Sequence, residues 1–490
     1  MTSGLNRRRR FLVLAICSMS LLMVSIDVTI VNVALPAIRR SLDASVSGLQ
    51  WTIDAYTVVL ASLLMLAGST GDRIGRRRVF QTGLAVFSLA SLLCAVAPTL
   101  ELLVAARVLQ AIGGSMLNPV ALSIIRNVFD DPRERSQAIG VWAGVFGVSL
   151  ALGPVLGGVL VDSVGWRWIF LVNVPIALLA ILLTGLFVPE SRALRARRPD
   201  PVGQVLVISG LATLTYAIIE GRTAGWMSAG ILTLFAVAAA SFAGLVSYER
   251  GRREPLVDVR FFRSAPFAGA SATAILAFAC VGGFLFLNTL YLQDARGLSP
   301  LHAGLLTLPM AAFTAAFAPL SGRLLGRYGA RPSLTGGALA MAIASLMLTR
   351  LQADSSMAYL IVAYVLFGVG FGLVNPPITD TAVSGMPAAQ AGVAAAIAST
   401  SRQVGATLGV AIIVPVAGAG VASPGGNAAR FATSTHPAWW LLFALSGVIL
   451  ALGTITTTRW ARETARRTAE LFPPDGAAAA RPAPEQHAAA

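Results

Sequence analysis

Four ionisable side chains stand inside otherwise apolar sequence: Asp27 in "MVSIDVTIV", Asp54 in "WTIDAYTVVL", Arg107 in "LLVAARVLQAIGG" and Arg402 in "IASTSRQVGATLGV". Ionisable groups at membrane depth are rare, face the bundle interior and pair with one another, which marks them as functional by default. The chemistry open to them is proton transfer. A carboxyl group beside an arginine sits between opposing pulls, burial favouring its neutral form and the guanidinium its charged form. Such a pair can be poised to take up a proton on one side of a membrane and lose it on the other. We read Asp27 as the proton acceptor and Arg107 with Gln110 as its tuning partners. The alternative is a permanent Asp27–Arg107 ion pair that only fixes helix packing. Asp54 either joins them or is a water-facing residue at a helix mouth. Arg402, near mid-membrane with Gln403 beside it, either organises the second half or contacts substrate.

These residues need apolar helices to hold them. Hydrophobic residues make up 56% of the 490 and charged residues only 12%, about half the charged share of an ordinary soluble domain. A window of about twenty residues, the length that spans hydrocarbon as helix, finds spans near 11–35, 48–69, 79–98, 100–125, 137–161 and 167–188. Two more lie near 202–220 and 229–248, and six near 267–292, 301–322, 332–350, 356–379, 390–417 and 437–458. Asp27, Asp54 and Arg107 then all fall about 9–12 Å below the outer boundary at the helical rise per residue, so the three could share one cavity.

The basic residues test that count. All positive charge is arginine, and with an N-terminus inside, 28 arginines fall in inner segments and 7 in outer ones. That bias is the positive-inside signature and places both termini in the cytoplasm. It also accounts for the net charge of +15 without a nucleic-acid partner. The Ala, Gly and Arg richness points to a GC-rich bacterial genome, hence a bacterial plasma membrane. "NRRRRFLV" has the paired arginines of an export signal, but the apolar run continues to Pro36 without a small-residue cleavage site. Cys17, Cys94 and Cys280 lie in apolar runs without metal-ligand spacing and read as packing residues. The tail from about 468 is Pro/Ala-rich low complexity.

Charge concentrates in "GSTGDRIGRRR", Gly68 to Arg78, between the second and third spans. Gly68 and Gly71 allow close approach to a neighbouring helix, and Asp72 can accept hydrogen bonds from arginines or face another helix's positive N-terminus. That makes a latch; the plainer alternative is that the arginines only hold the loop inside. "GRLLGRYGARP", Gly322 to Pro332, echoes the stretch at the corresponding place later in the chain, the mark of a transporter built from repeated halves. The fold expected is all-α and polytopic. A six-helix bundle spans 11–188, an inserted two-helix segment with linkers 189–266, a second six-helix bundle 267–458, and a cytoplasmic tail 459–490.

The loop motif resembles that of the major facilitator superfamily. "DVTIVNVALP" (27–36), "RVLQAIGGS" (107–115), "GVSLALGPVLGG" (147–158) with "WRWIFLVNVP" (166–175), "YLQDARGLSPLHAGLLTLP" (291–309) and "RQVGATLGVA" (402–411) resemble its fourteen-helix drug:proton antiporter branch. The pattern departs at Ala111, where the family usually has glycine, and at Gly326, where an acidic residue is usual in the second loop. The first departure bears on packing of the fourth helix, the second on symmetric gating. The resemblance implies that Asp72, with Gly68, Gly71, Arg73, Gly75 and Arg76, closes the cytoplasmic side when the protein faces outward. It also marks Gly147, Gly153, Pro154, Gly157 and Gly158 as the antiporter signature. Physically, these small residues and the proline permit close packing or a flexible pivot between halves.

The function expected is secondary active export of amphipathic small molecules, lipophilic or cationic, by proton antiport and alternating access. It needs no cofactor but the proton gradient, no metal and no nucleic acid. Protons and membrane lipids are the other partners, and a monomer suffices. Alternatives with the same fold are a dedicated exporter of one metabolite and a proton-coupled uptake symporter. A membrane enzyme or sensor is disfavoured, since the sequence has no Walker loop, no His/Cys cluster and no soluble domain large enough for catalysis.

Overall fold

Short polar caps start the apolar helices and place their ends. Ser45 Oγ accepts the Gly48 amide at 3.1 Å, and Thr99, Ser264, Ser299, Ser356 and Thr458 hold the same position at other helix starts, each satisfying an amide that the helix leaves free. The computed structural model describes residues 6–129, 131–193, 200–252, 255–384, 391–418 and 428–472. Arg195, Arg197, Arg198, Arg253, Arg481 and the tail beyond 472 lie outside them.

The described residues form helices and no strand. The first group comprises α1 (Arg7–Leu42), α2 (Val46–Ile74), α3 (Arg76–Val96), α4 (Leu100–Ser115), α5 (Asn118–Val128), α6 (Pro132–Ser163), α7 (Trp168–Leu171) and α8 (Asn173–Phe187). A pair follows, α9 (Pro201–Ala224) and α10 (Ala229–Arg250). The second group comprises α11 (Ala265–Leu290), α12 (Pro300–Tyr328), α13 (Ala330–Leu348), α14 (Met357–Val383), α15 (Ala391–Ala417) and α16 (Ala428–Ile455), and α17 (Arg459–Ala469) closes the chain. A 3-10 turn at Val259–Arg263 precedes α11 and a π turn at Tyr291–Ala295 follows it.

Thirteen described helical segments are long and apolar enough to cross a membrane, so the protein is a multi-pass membrane protein. The segment expected at 332–350 is α13, whose first turn holds Arg331 and Pro332; it packs between α14 and α16. Two expected spans are each continuous but carry a local turn. The fourth turns at Met116–Leu117, ahead of Pro119 at the start of α5, and the sixth turns between α7 and α8. Ala111 is fully buried, and α4 still closes on α3 through Gly113, where a Cβ would lie 2.5 Å from the Phe87 amide nitrogen and 2.8 Å from the Gly83 carbonyl.

Within the first group α1 packs on α6 and α8, and α4 on α2 and α3. Within the second, α11 packs on α15 and α14 on α12 and α13. The groups meet along a seam of α6 against α12 and α2 against α15, while α9 lies on both α2 and α15. We call the face where α1 begins near and the face where it ends far. Arg9 donates to the Phe187 carbonyl at 3.1 Å at the near face, and Arg39 pairs with Asp294 at 3.5 Å at the far one.

Candidate functional site

Asp27, midway along α1, is fully buried and fully partnered. Its Oδ2 accepts from Arg107 Nη1 at 2.5 Å, and its Oδ1 accepts from Gln110 Nε2 at 2.8 Å and Asn173 Nδ2 at 3.0 Å. Arg107 is 1% exposed; its Nε donates to the Thr52 carbonyl at 3.1 Å and its Nη1 also to Gln110 Oε1 at 2.6 Å. The guanidinium lies 4.1 Å from the Tyr56 ring centre, a favourable place for a cation. Gln110, three residues on along α4, shares the Arg107 face and also donates to Ser91 Oγ at 2.9 Å. Side chains of α4 and α8 thus converge on the α1 carboxylate, while α2 and α3 hold Arg107 and Gln110 in place. A charge pair taken out of water survives only when its remaining donors and acceptors are also satisfied, and this one is largely so.

Asp54 is equally buried but stands apart. Neither carboxylate oxygen has a hydrogen-bond partner within ordinary reach. On either side of it on α2, Gln50 donates to the Val410 and Ala411 carbonyls of α15 at 2.8 and 3.1 Å, and Thr57 accepts from Thr407 at 2.8 Å. Asp54 therefore lies on the seam, and the shared cavity expected for Asp27, Asp54 and Arg107 is not formed. The direction around α2 accounts for this: Arg107 of α4 reaches the Thr52 carbonyl and the Tyr56 ring, and a two-residue step turns about 200° around a helix.

Arg402 donates to Thr379 Oγ1 of α14 and lies 5.9 Å from the Phe278 ring centre. It meets a hydroxyl and an aromatic ring where Arg107 meets a carboxylate.

In the charged loop, Gly68 and Gly71 bring α2 against α5, with built Cβ positions 3.5 Å from Pro119 Cβ and 3.0 Å from Val120 Cγ2. Gly75 has φ +133°, in the region that favours glycine, and links α2 to α3. Asp72 Oδ1 accepts two hydrogen bonds from Arg76, at 2.9 and 2.8 Å. The stretch after α8 clamps the loop: Glu190 Oε1 accepts the Arg77 amide at 3.1 Å, and the Ser191 carbonyl accepts the Arg76 amide at 2.9 Å. Arg73 is exposed. The latch carboxylate is thus spent within the first group.

A profile of the Major Facilitator Superfamily matches residues 17–410. The chain belongs to the Major Facilitator Superfamily. It is 38% identical over 406 residues to multidrug resistance protein Stp of Mycobacterium tuberculosis, covering 83% of this chain and 75% of that one. It is 37% identical over 413 residues to the tetracenomycin C resistance and export protein of Streptomyces glaucescens, covering 84% and 76%. A bacterial homologue of the human lysosomal transporter Spinster, solved inward-facing and unoccupied, shares the fold with a TM-score of 0.66 at 17% identity, over 94% of this chain and 99% of that one.

In this superfamily member the α6 glycines make contacts that change along the helix. Gly153 meets Thr29, Gly157 meets Ile30 with a built Cβ 2.8 Å from Cγ1, and Gly158 would put a Cβ 2.6 Å from Leu301 Cα of α12. Pro154 presents its carbonyl to Gly304 of α12. At Gly147 the nearest α12 atom is Ala315 Cβ at 3.8 Å, and at Gly144 and Gly140 nothing lies within 4 Å. The two helices converge at the far face and diverge toward the near one.

Sequence reasoning missed Asn173, Ser91, Tyr56 and Glu190, and also Asp162 of α6, which accepts the Leu301 amide of α12 at 2.9 Å. Asn173 sits inside the quoted "WRWIFLVNVP" stretch, where a lone amide in an apolar segment was a usable signal. Ser91 had none, since a serine in a helix interior usually bonds its own backbone.

Proposed function

We propose that the protein is a proton-driven exporter of amphipathic small molecules working by alternating access. The geometry that carries this reading is the Asp27–Arg107–Gln110–Asn173 network, a charged carboxylate held inside the first group of a transporter fold. Relatives named as multidrug resistance, antibiotic resistance and drug efflux proteins support the substrate class. Asp27 has the partner set of a carboxylate that has released its proton, and it sits in a conformation closed at the far face. Asp54 is the second carboxyl group of the mechanism. An uncompensated charge between two closed helices is unfavourable, so Asp54 passes through the closed seam as the neutral acid and meets water when α2 and α15 part. Arg402 serves the second half as an organising or substrate-contacting residue.

The topology we propose has fourteen crossings in a bacterial plasma membrane with both termini cytoplasmic, so the near face is cytoplasmic and the conformation is inward-open. Bundles at 11–188 and 267–458 rock about the α6–α12 contact, the segment 189–266 is an insertion, and 459–490 is a cytoplasmic tail. The protein works as a monomer, and the proton gradient is its only energy source. A dedicated exporter of one compound is the second reading, favoured by relatives named for single antibiotics; a narrow profile in an efflux panel would select it.

The test is Asp27→Asn in proteoliposomes. Insertion and folding should persist, while efflux driven by a pH difference is abolished, because an asparagine cannot take up or release the proton. Ordinary gradient-driven efflux from that variant would remove Asp27 from the mechanism.

A further inference from the structure

A narrow crevice lies where α1 and α6 of the first group meet α11 and α12 of the second. No charged side chain lines it. Its walls are aliphatic, with Val33 and Leu292 among them, and its polar groups are the threonines Thr29, Thr289 and Thr307 and two amides, Asn32 and Asn288. Thr29 donates to the Ser25 and Ile26 carbonyls at 3.1 Å each, and Thr307 to the Gly304 carbonyl at 2.8 Å, so the hydroxyl hydrogens of these two threonines are used by their own helices. The amides are different. Asn32 Nδ2 donates to the Val28 carbonyl at 3.0 Å, while its Oδ1 is buried and unpartnered. Asn288 Oδ1 accepts from the Tyr364 hydroxyl, while its Nδ2 is buried and unpartnered. The two residues are 6% and 2% exposed. Asn32 is oriented by its bond to a carbonyl, which leaves a free acceptor on the first group; Asn288, bonded through its oxygen to the Tyr364 hydroxyl, presents its amide nitrogen as the free donor on the second.

Leaving a buried donor or acceptor unmade is costly, and buried groups of this kind in native proteins call for an explanation. We propose that Asn32 and Asn288 form a specificity-determining subsite for an uncharged, hydrogen-bonding group of the transported molecule, such as a hydroxyl or a carboxamide. This deepens the efflux reading and rests on it. The group gives a hydrogen bond to Asn32 Oδ1 and takes one from Asn288 Nδ2 while its aliphatic flanks meet Val33 and Leu292. A permanent cation gains nothing here, because the crevice offers no counter-charge. Bonded to both amides, the substrate bridges the two helix groups; when the far face parts, it loses one partner and is released on that side.

Two probes separate the possibilities: chloramphenicol, uncharged with an amide and two hydroxyls, and tetraphenylphosphonium, a cation with no hydrogen-bonding group. Binding and proton-driven transport of each are measured for the full-length protein and for Asn288→Leu, with a thermal melt as the check on folding. The expected result is chloramphenicol binding weakened about five- to tenfold, the value of a neutral hydrogen bond, with tetraphenylphosphonium changed by less than about twofold. Equal losses for both probes, or unchanged chloramphenicol binding, overturn the proposal. If Asn288→Leu does not fold, Asn32→Ser is read by the same criterion. Wild-type protein that moves tetraphenylphosphonium but neither binds nor moves chloramphenicol overturns the subsite and leaves efflux standing. Wild-type protein that moves neither overturns both.

Discussion

The two ends of the seam are built differently. At the far face the groups are joined by close backbone contacts and by polar side chains that reach across. Gly158 lies against Leu301 and Gly304 against the Pro154 carbonyl. Asp162 of α6 accepts the Leu301 amide of α12 at 2.9 Å, and Gln293 donates to the Val33 carbonyl at 2.8 Å. At the near face Gly140 and Gly144 of α6 and Gly322 and Gly326 of α12 have no neighbour within 4 Å of a built Cβ, and Asp72 is held by Arg76 on its own side. Closure at the far end rests on shape, on a carboxylate at a helix N-terminus and on the Arg39–Asp294 pair between the groups, whereas the near-end charges of Asp72 and Arg76, and of Arg10 and Glu134, pair within the first group. A dense backbone contact has two discrete states, and a short-range charge can tune the balance between them without setting it.

Gly158→Leu should break this contrast most strongly. A side chain there runs into Leu301 Cα and the Pro300 carbonyl, at 2.6 and 2.8 Å from a built Cβ, neither of which can swing aside. Overpacking of about 2–3 kcal/mol against the closed far face shifts the conformational equilibrium roughly thirtyfold or more. Distances between spin labels on the far ends of α6 and α12 should lengthen, and transport should fall by a similar factor. Unchanged distances would mean that the far face closes on something other than this backbone contact.

The same contrast explains what the sequence could reveal. The length of the apolar runs carried the helices, because lipid imposes a one-dimensional constraint that a window can read. Asp27, Arg107 and Gln110 were legible because charge in an apolar run has few tolerable arrangements. Direction around a helix was not: Asp54 lies on the α15 side of α2, since nothing in one sequence says which neighbour occupies which side. The turn at Met116 and the cap supplied by Asp162 were hidden for the same reason. A proline near a helix start and an aspartate near a helix end are common, and their partners lie on elements far along the chain. Glu190 was invisible as the clamp of the charged loop because 113 residues separate it from the Arg77 amide that it accepts.

Asp72→Asn sharpens the near end. In the conformation seen here the substitution removes only an i,i+4 pair with Arg76, at 2.8 Å and partly exposed, worth about 0.3–0.5 kcal/mol. Its larger effect belongs to the opposite state, in which the near face is shut. Substrate binding to the near-open protein should change by less than about twofold while maximal transport falls about tenfold. A pure loss of binding would count against a latch at this loop.

Asp162→Asn carries the smallest expected effect and tests the far end by charge alone. Asparagine keeps an acceptor for the Leu301 amide but gives up the favourable interaction between a carboxylate and the start of α12. The loss expected is about 0.5–1 kcal/mol, a two- to fivefold shift toward the far-open state. Far-face labels should report that shift without a comparable loss of thermal stability, because the contact joins two helix groups that are each packed without it. Raising ionic strength should reduce the difference between wild type and variant, since an exposed charge and a helix terminus are screened by salt. A difference that persists undiminished at high salt would mean that side-chain geometry at Asp162, not its charge, holds the far face closed.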